Sequence, residues 1–429
     1  MLNPARPAAA LALALGVAAA GGLPAAAWVL PSTTCPVFPA DNVWNADISA
    51  LPVNAHSGAW MASMGSSSRN LHPDFGPTGA TPTDANPPYG IPFNLVDSSH
   101  PRVGVAFQYA SESDPGPYPL GSDTHIEGGS GSTGDRHALV VDQSSCTLYE
   151  TWNTQQASNG SWSAGSGAVF HLDRDALRPA GWTSADAAGL PIYPGLLKYD
   201  EVFSAGTVRH AIRFTAAPTD TSYLWPARHE AGARSDPSLP PMGARFRLKA
   251  SFATSGFSAA AQVVLQAMKH YGLILADNGS DWYFQGSADD RWSDAFVSEL
   301  KRIPAGAFEA VDESSLMVDP GSGAVKTAPP PSAAPAPQPP PRASSPSPVP
   351  SAAPSPSPSP SPPPASPTPT PPPVALASAS PPAPARLPAD SRPAPPGPPW
   401  PAYLAAIAVA VIAGSAITWW WRRRPTQGG

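Results

Sequence analysis

The sequence predicts a mainly β domain, sandwich or jelly-roll-like, with a few helices near its C-terminal end. Three observations carry that expectation. Short runs alternate apolar and polar residues, as Val103, Val105, Phe107 and Tyr109 do. Gly, Pro, Asn and Asp cut the chain between those runs at the density of ordered turns. Only two stretches, both beyond residue 257, hold a convincing helical period.

The chain has 429 residues and 61 prolines, most of them late, so the expected domain is shorter than the length implies. Residues 1–27 read as a signal peptide: Arg6 gives the charged start, Ala8 to Ala20 the apolar stretch, and Ala25-Ala26-Ala27 a small-residue cleavage site. Residues 28–320 are the expected exported globular domain. Residues 321–399 are almost all Pro, Ser, Ala and Thr, a composition that buries too little apolar area to fold and favours extended polyproline II. At about 3.1 Å per residue, a stalk of some 70 residues reaches on the order of 200 Å, enough to cross a thick cell wall. Residues 400–421 are apolar over the length a bilayer needs, with Trp and Tyr at both borders. Arg422, Arg423 and Arg424 open a basic tail, 422–429, which the positive-inside rule puts in the cytoplasm. The expected location is the cell membrane, single-pass, with the N-terminal domain outside.

Within the domain, Phe38 to Asn45, Leu71 to Gly76 and Tyr89 to Phe93 are loop-rich. His137 to Asp142 and Thr147 to Trp152 read as a hairpin around a Gln-Ser-Ser turn, and Ala168 to Leu172 as a further strand. Gly181 to Gly189 is expected to form one capped helical turn. Val208, His210, Ile212 and Phe214 face one way along a strand, with Arg209, Ala211 and Arg213 opposite. Arg245 to Lys249 alternates too, with Arg245, Arg247 and Lys249 facing out. A helix capped by Ser258 ends at Gly272, and a second runs from about Ser293 to Ile303. Cys35 and Cys146 are the two cysteines, and in an exported chain they are expected to pair.

Several of these stretches carry a resemblance. Phe38 to Asn45, Leu71 to Gly76, Gly134-Asp-Arg-His-Ala-Leu-Val-Val-Asp142 and Trp182 to Ile192 are among them. So are Trp225-Pro-Ala-Arg-His-Glu-Ala231 and Tyr271 to Gly286. Over about residues 36–312 the chain resembles a family of exported proteins of high-GC bacteria. The resemblance implies export; it implies no activity and assigns no residue a role.

The chemistry-bearing stretch is Asp123 to Asp142, where a glycine-rich loop delivers ionisable groups to a strand. Glu127 is expected to have its pKa raised by burial toward general-acid use, or else to orient the loop by accepting backbone N–H groups. His137 reads as a general base oriented by Asp135, or as a strand-end histidine. Arg136 and Arg228 are expected to hold anionic substrate groups, with His229 reaching the same cleft. His210 is a further substrate-side candidate, or a satisfied core histidine. Asp142 is expected to end the hairpin, and Asp74 and Asp277 to stabilise tight turns. His125 and Glu127 with His137, and His210 or His229, offer a His/carboxylate set. Their spacing matches neither His-Glu-x-x-His nor an EF-hand, so no metal is assigned, and no cofactor is implied.

Composition narrows the class. Net charge is −6 with no basic run in the domain, which leaves nucleic-acid binding without a footprint. No Gly-x-Ser-x-Gly, P-loop or dinucleotide fingerprint occurs, and no nucleotide is expected. Carboxylates beside 13 Trp, 10 Tyr and 13 Phe suit sugar stacking with acid/base cleavage of an extracellular or cell-wall polysaccharide. A carbohydrate-binding protein without turnover, and an adhesion protein using an aromatic patch, are the alternatives.

Overall fold

In the computed structural model of the chain, residues 29, 33–79 and 81–326 are described. The expected signal peptide, nearly all of the stalk, the membrane helix and the basic tail lie outside the described residues. Those described belong to the unit Met1–Pro340, and no helix among them is long and apolar enough to cross a membrane.

The strands in order are β1 (His72–Asp74), β2 (Phe93–Val96), β3 (Val105–Phe107), β4 (Ala138–Asp142), β5 (Thr147–Trp152), β6 (Gln155–Gln156) and β7 (Trp162–Ala164). They continue as β8 (Ser166–His171), β9 (Ile212–Ala216), β10 (Arg245–Leu248), β11 (Leu273–Asn278), β12 (Tyr283–Gln285) and β13 (Phe308–Val311). Among the described residues three α-helices accompany them: α1 (Ser57–Ser63), α2 (Ala259–His270) and α3 (Asp294–Leu300). The domain is therefore β-rich with few helices. One sheet runs β1-β12-β9-β11-β10-β13, a second β2-β4-β5-β8, and a third β3-β7-β6. The sheets are mixed, because β1–β12, β9–β11, β2–β4 and β3–β7 pair in parallel.

Local signals worked where the structure is local. The β4–β5 hairpin forms in the register Val140↔Tyr149. Ser258 accepts a hydrogen bond from Ala261 N–H at the start of α2, and Gly272 ends it at φ +70°. α1 has no counterpart in the sequence pattern: it is seven residues long with no side-chain cap, and it forms because Trp60 and Met61 are buried. Gly181 to Gly189 is an irregular loop rather than a helical turn. Its polar groups bond elsewhere, with Ala188 N–H donating to Ala276 O and Gly181 N–H to Arg228 O. Residues 321–326, placed with the stalk by composition, remain part of the domain. Val325 N–H donates to Asp41 O and Lys326 N–H to Leu316 O, each at 2.8 Å.

The disulfide Cys35–Cys146 closes a separation of 111 residues. In the chain-entropy picture a loop of that length stabilises by about 4–5 kcal/mol.

The six-stranded sheet has two unlike faces. Ile212, Phe214, Phe246, Leu273 and Phe284 pack on one, with Trp282 stacked on Phe214 and Trp60 of α1 against Phe246. Arg213 and Thr215 point the other way, as strand alternation requires. The expectation that this opposite face lies outward is corrected: Arg213 and Arg245 are both buried. Other chain covers them, so the polar face is an interior surface. It positions the site.

Candidate functional site

Pairing register decides which side chains share the polar face. Asp74 of β1 pairs with Gln285 of β12, and Tyr283 pairs with Thr215 of β9. One step further along that antiparallel register sets Gln285 opposite Arg213. Asp277 joins them through an irregularity. Leu275 pairs with Phe214 but Asp277 pairs with Thr215, so Ala276 is an extra residue in β11. A bulge of this kind moves the following side chain to the other face. Without it, Asp277 would follow Leu275 into the apolar core.

The loop of residues 183–193 lies over this face. Asp186 binds Arg213 in a two-pronged ion pair, at 3.1 Å to Nε and 2.9 Å to Nη2. Asp277 approaches the same Nη2 at 3.6 Å. From the second sheet, Glu150 on β5 accepts hydrogen bonds from Ile192 N–H and Tyr193 N–H. The loop is thus tied to both sheets by buried carboxylates.

The glycine-rich loop meets it from the other side. His137 Nδ1 lies 2.6 Å from Glu127 Oε2, and Nε2 lies 3.1 Å from Ala185 O. Both ring nitrogens face oxygen acceptors, so both carry protons and the pair is imidazolium with carboxylate. Burial pulls the His137 pKa down, but the Glu127 charge and hydrogen bond more than offset it and raise it to about 9. For Glu127, burial pushes up, and His137 outweighs it to hold the carboxyl below its ordinary value. Glu127 Oε1 has no hydrogen-bond partner among the described residues, and a quarter of the side chain is exposed.

Asp277 is in the opposite state. Burial first, and then the neighbouring Asp186 charge, raise its pKa to about 8. Asp186 is itself raised by burial, opposed by Arg213 and by a hydrogen bond with Asp277. Two carboxyls so close beside one guanidinium share a proton, and Asp277, with a quarter of its side chain exposed, is the one that keeps it at neutral pH. The Asp186 charge foremost, with Glu127 further on, sustains Arg213 as a cation against its burial. One carboxylate with an open oxygen and one protonated carboxyl therefore both lie within electrostatic reach of Arg213.

Several sequence expectations are corrected here. Glu127 is ionised, not raised toward a general acid, because His137 is its partner. His137 is not a base, since both nitrogens are committed. Its orienting carboxylate is Glu127 rather than Asp135, which is exposed and accepts from Trp152 Nε1 at 3.3 Å. Arg136 is buried and gives Nε to Thr154 O and Nη1 to Gly129 O and Ser132 O, which braces the loop. Arg228 donates to Arg178 O, again a structural use. His229 Nδ1 binds Ala187 O at 2.8 Å, which sets it beside the covering loop with a quarter of its ring open. His210 belongs elsewhere, buried against Glu201. Asp74 and Asp277 are strand residues rather than turn stabilisers.

Donor atoms of Glu127, Asp135 and His137 lie within 4.8 Å of one another, the grouping among the described residues with metal-ligand geometry. Ala185 O fixes the His137 tautomer as a metal site would want. A cation there would have to displace the proton that joins His137 to Glu127.

A cleft of about 800 Å³ runs along the same glycine-rich loop, lined by Phe93, His125, Arg136, Gln155, Gln156 and Trp162 among others. It is the size of a small-molecule site. Neither Glu127 nor His137 lines it, so it neighbours the carboxyl pair without containing it. Gly129 joins the cleft wall at φ +76°, where a Cβ would lie 2.1 Å from Asp84 O. No side chain fits there.

The residues missed by sequence reasoning are Arg213, Asp186, Glu150 and the true place of Asp277. Asp186 carried one faint signal: an acidic residue between two alanines. No family model, curated protein or solved structure matches the chain.

Proposed function

We propose that the domain is an acid/base hydrolase of extracellular carbohydrate, displayed at the cell membrane on the Pro/Ser stalk. Asp277 acts as the general acid and Glu127 as the general base or nucleophile. The observation that carries the reading is the opposite protonation of these two carboxyls, both within electrostatic reach of Arg213. Two like groups whose surroundings separate their pKa values divide the work of proton donor and acceptor. Glycosidic cleavage requires that division: one carboxyl protonates the leaving oxygen while the other attacks or activates water.

His137 and Arg213 are positioning residues in this scheme. The imidazolium keeps Glu127 ionised, and the guanidinium holds Asp186 ionised so that Asp277 retains the proton. On the same reading the sheets form a sandwich, whose filling is the loop of residues 183–193 bonded through Glu150 to one layer and Asp186 to the other. The signal sequence, apolar run and basic tail of the sequence support export and anchoring. The resemblance to exported bacterial proteins agrees with them.

The test is a panel of cell-wall and storage polysaccharides incubated with the secreted domain, with reducing ends measured. Wild type is expected to release product and Asp277→Asn to lose about 10²–10⁴-fold of the rate. Product formation that survives Asp277→Asn would overturn the assignment. Binding without product in wild type would leave a carbohydrate-binding protein and remove the enzyme.

A further inference from the structure

Beside the carboxyl pair, β1 and β12 carry a second group of polar side chains that the proposed chemistry does not use. Gln285 is nearly fully buried, and its amide Nε2 donates to Asp74 Oδ2 at 3.1 Å. That bond fixes the orientation of the amide, because a carboxylate needs the NH₂ end. The other end, Oε1, is then a buried acceptor, and it has no partner among the described residues. An acceptor left this way costs about 1–3 kcal/mol unless something donates to it.

Tyr89 stands over the same residues. Its hydroxyl donates to Asp74 Oδ1, while half of the residue is exposed. The loop that carries it is bonded to the ends of both strands, with Gly76 N–H donating to Tyr89 O and Ile91 N–H to Gly286 O. Gly90 makes this approach possible. At φ +130° its Cβ would meet Gly286 O at 2.8 Å and Ala288 N at 2.9 Å. Burial and Asp74 first, then Tyr283 and Glu127, act on the Tyr89 hydroxyl, which places the ring within electrostatic reach of the base.

An open aromatic face, a carboxylate and an unsatisfied buried amide oxygen make a definite demand. The ligand must be flat enough to stack and must carry hydroxyl donors on its rim. A pyranose ring meets both conditions: its C–H face packs on an aromatic ring and its hydroxyls supply donors. We propose that Tyr89, Asp74 and Gln285 form a sugar-binding subsite that seats one ring of the substrate next to Glu127. This deepens the carbohydrate reading and rests on it for the class of substrate. The hydroxyl that donates to Gln285 Oε1 sets which sugar is accepted, since a buried acceptor discriminates strongly against a ring lacking that group.

The experiment uses soluble cello-, chito-, manno- and xylo-hexaose, with binding followed by titration calorimetry and cleavage by chromatography. Tyr89→Ala and Gln285→Leu are the subsite variants. Tyr89 is half exposed, so its variant folds; Gln285→Leu is kept only if its melting curve matches wild type. Each is expected to weaken binding of the preferred hexaose, or raise its KM, by roughly tenfold, the scale of one buried hydrogen bond or stacked ring. Turnover at saturation should hold. Cleavage with unchanged KM in the Tyr89 variant would overturn the subsite and leave the hydrolase reading intact. Binding that depends on Tyr89 without cleavage would keep the subsite and overturn the hydrolase. If wild type neither binds nor cleaves any of the four, both are overturned.

Discussion

Glu127–His137 and Glu201–His210 are built from the same two residue types at similar distances, 2.6 and 3.0 Å. In each, the second ring nitrogen meets a backbone carbonyl, Ala185 O in one and Ala211 O in the other. They differ in the carboxylate. Glu201 places both oxygens on His210 and also accepts from Lys198 N–H, with only 2% of its side chain exposed. Glu127 commits Oε2 alone and leaves a quarter of its side chain open. The sealed pair is a tie within the core, linking the turn at residues 200–204 to the start of β9. The open pair has a spare oxygen and lies within electrostatic reach of Arg213. Residue type alone does not separate them; what separates them is how many acceptor positions remain.

Breaking the sealed pair is expected to give the largest effect. Glu201→Gln leaves His210 and Lys198 buried without their shared carboxylate, a loss of about 3–5 kcal/mol for a buried pair missing one partner. Urea unfolding measures it directly. A loss below about 1 kcal/mol would show that water reaches this pair after all.

The open pair should instead reveal itself through pH. The His137 pKa is raised from an ordinary 6.5 to about 9 in the folded state. The folded protein thus holds a proton that the unfolded chain releases. Its contribution is complete below pH 6.5 and is lost as pH rises through 9, a decline of up to about 3 kcal/mol. Glu127→Gln removes the cause, so this variant should be less stable near pH 6 and flat above it. An unchanged slope in Glu127→Gln would mean that another group supplies the proton.

The contrast also explains how far the sequence could be read. The Gly-rich loop was legible because Glu127, Asp135, Arg136 and His137 lie within eleven residues, and its glycines announce close backbone approach. Their roles were not, because a loop shows which groups are near in sequence and not which atoms they spend. Arg136 and His137 are adjacent, yet one braces the loop and the other holds Glu127. Asp277 could not be read at all. Its face depends on the bulge at Ala276, and its proton on Asp186, 91 positions earlier. Arg245 read as outward-facing because strand alternation says which residues oppose each other, not which side is covered. The parallel pairing of β9 with β11 depends likewise on long-range closure that no local pattern encodes.

The most diagnostic effect on stability is one of sign. Asp277 is protonated in the folded protein up to about pH 8, whereas in the unfolded chain it ionises near 3.8. Its raised pKa means that the folded state loses stability as pH climbs from 4 through 8, since only the unfolded chain gains by releasing the proton. Asn resembles the protonated carboxyl in shape and cannot ionise, so Asp277→Asn escapes that loss. At pH 7 the variant is expected to be more stable than wild type, by up to about 4 kcal/mol, with the gain vanishing toward pH 4. A core carboxyl serving only as a tie, as Glu201 does, predicts the reverse sign. A variant that gains stability while losing hydrolysis would identify Asp277 as a group kept against the interest of folding. A destabilised variant at pH 7 would place its carboxylate in the Arg213 ion pair and remove it from the role of acid.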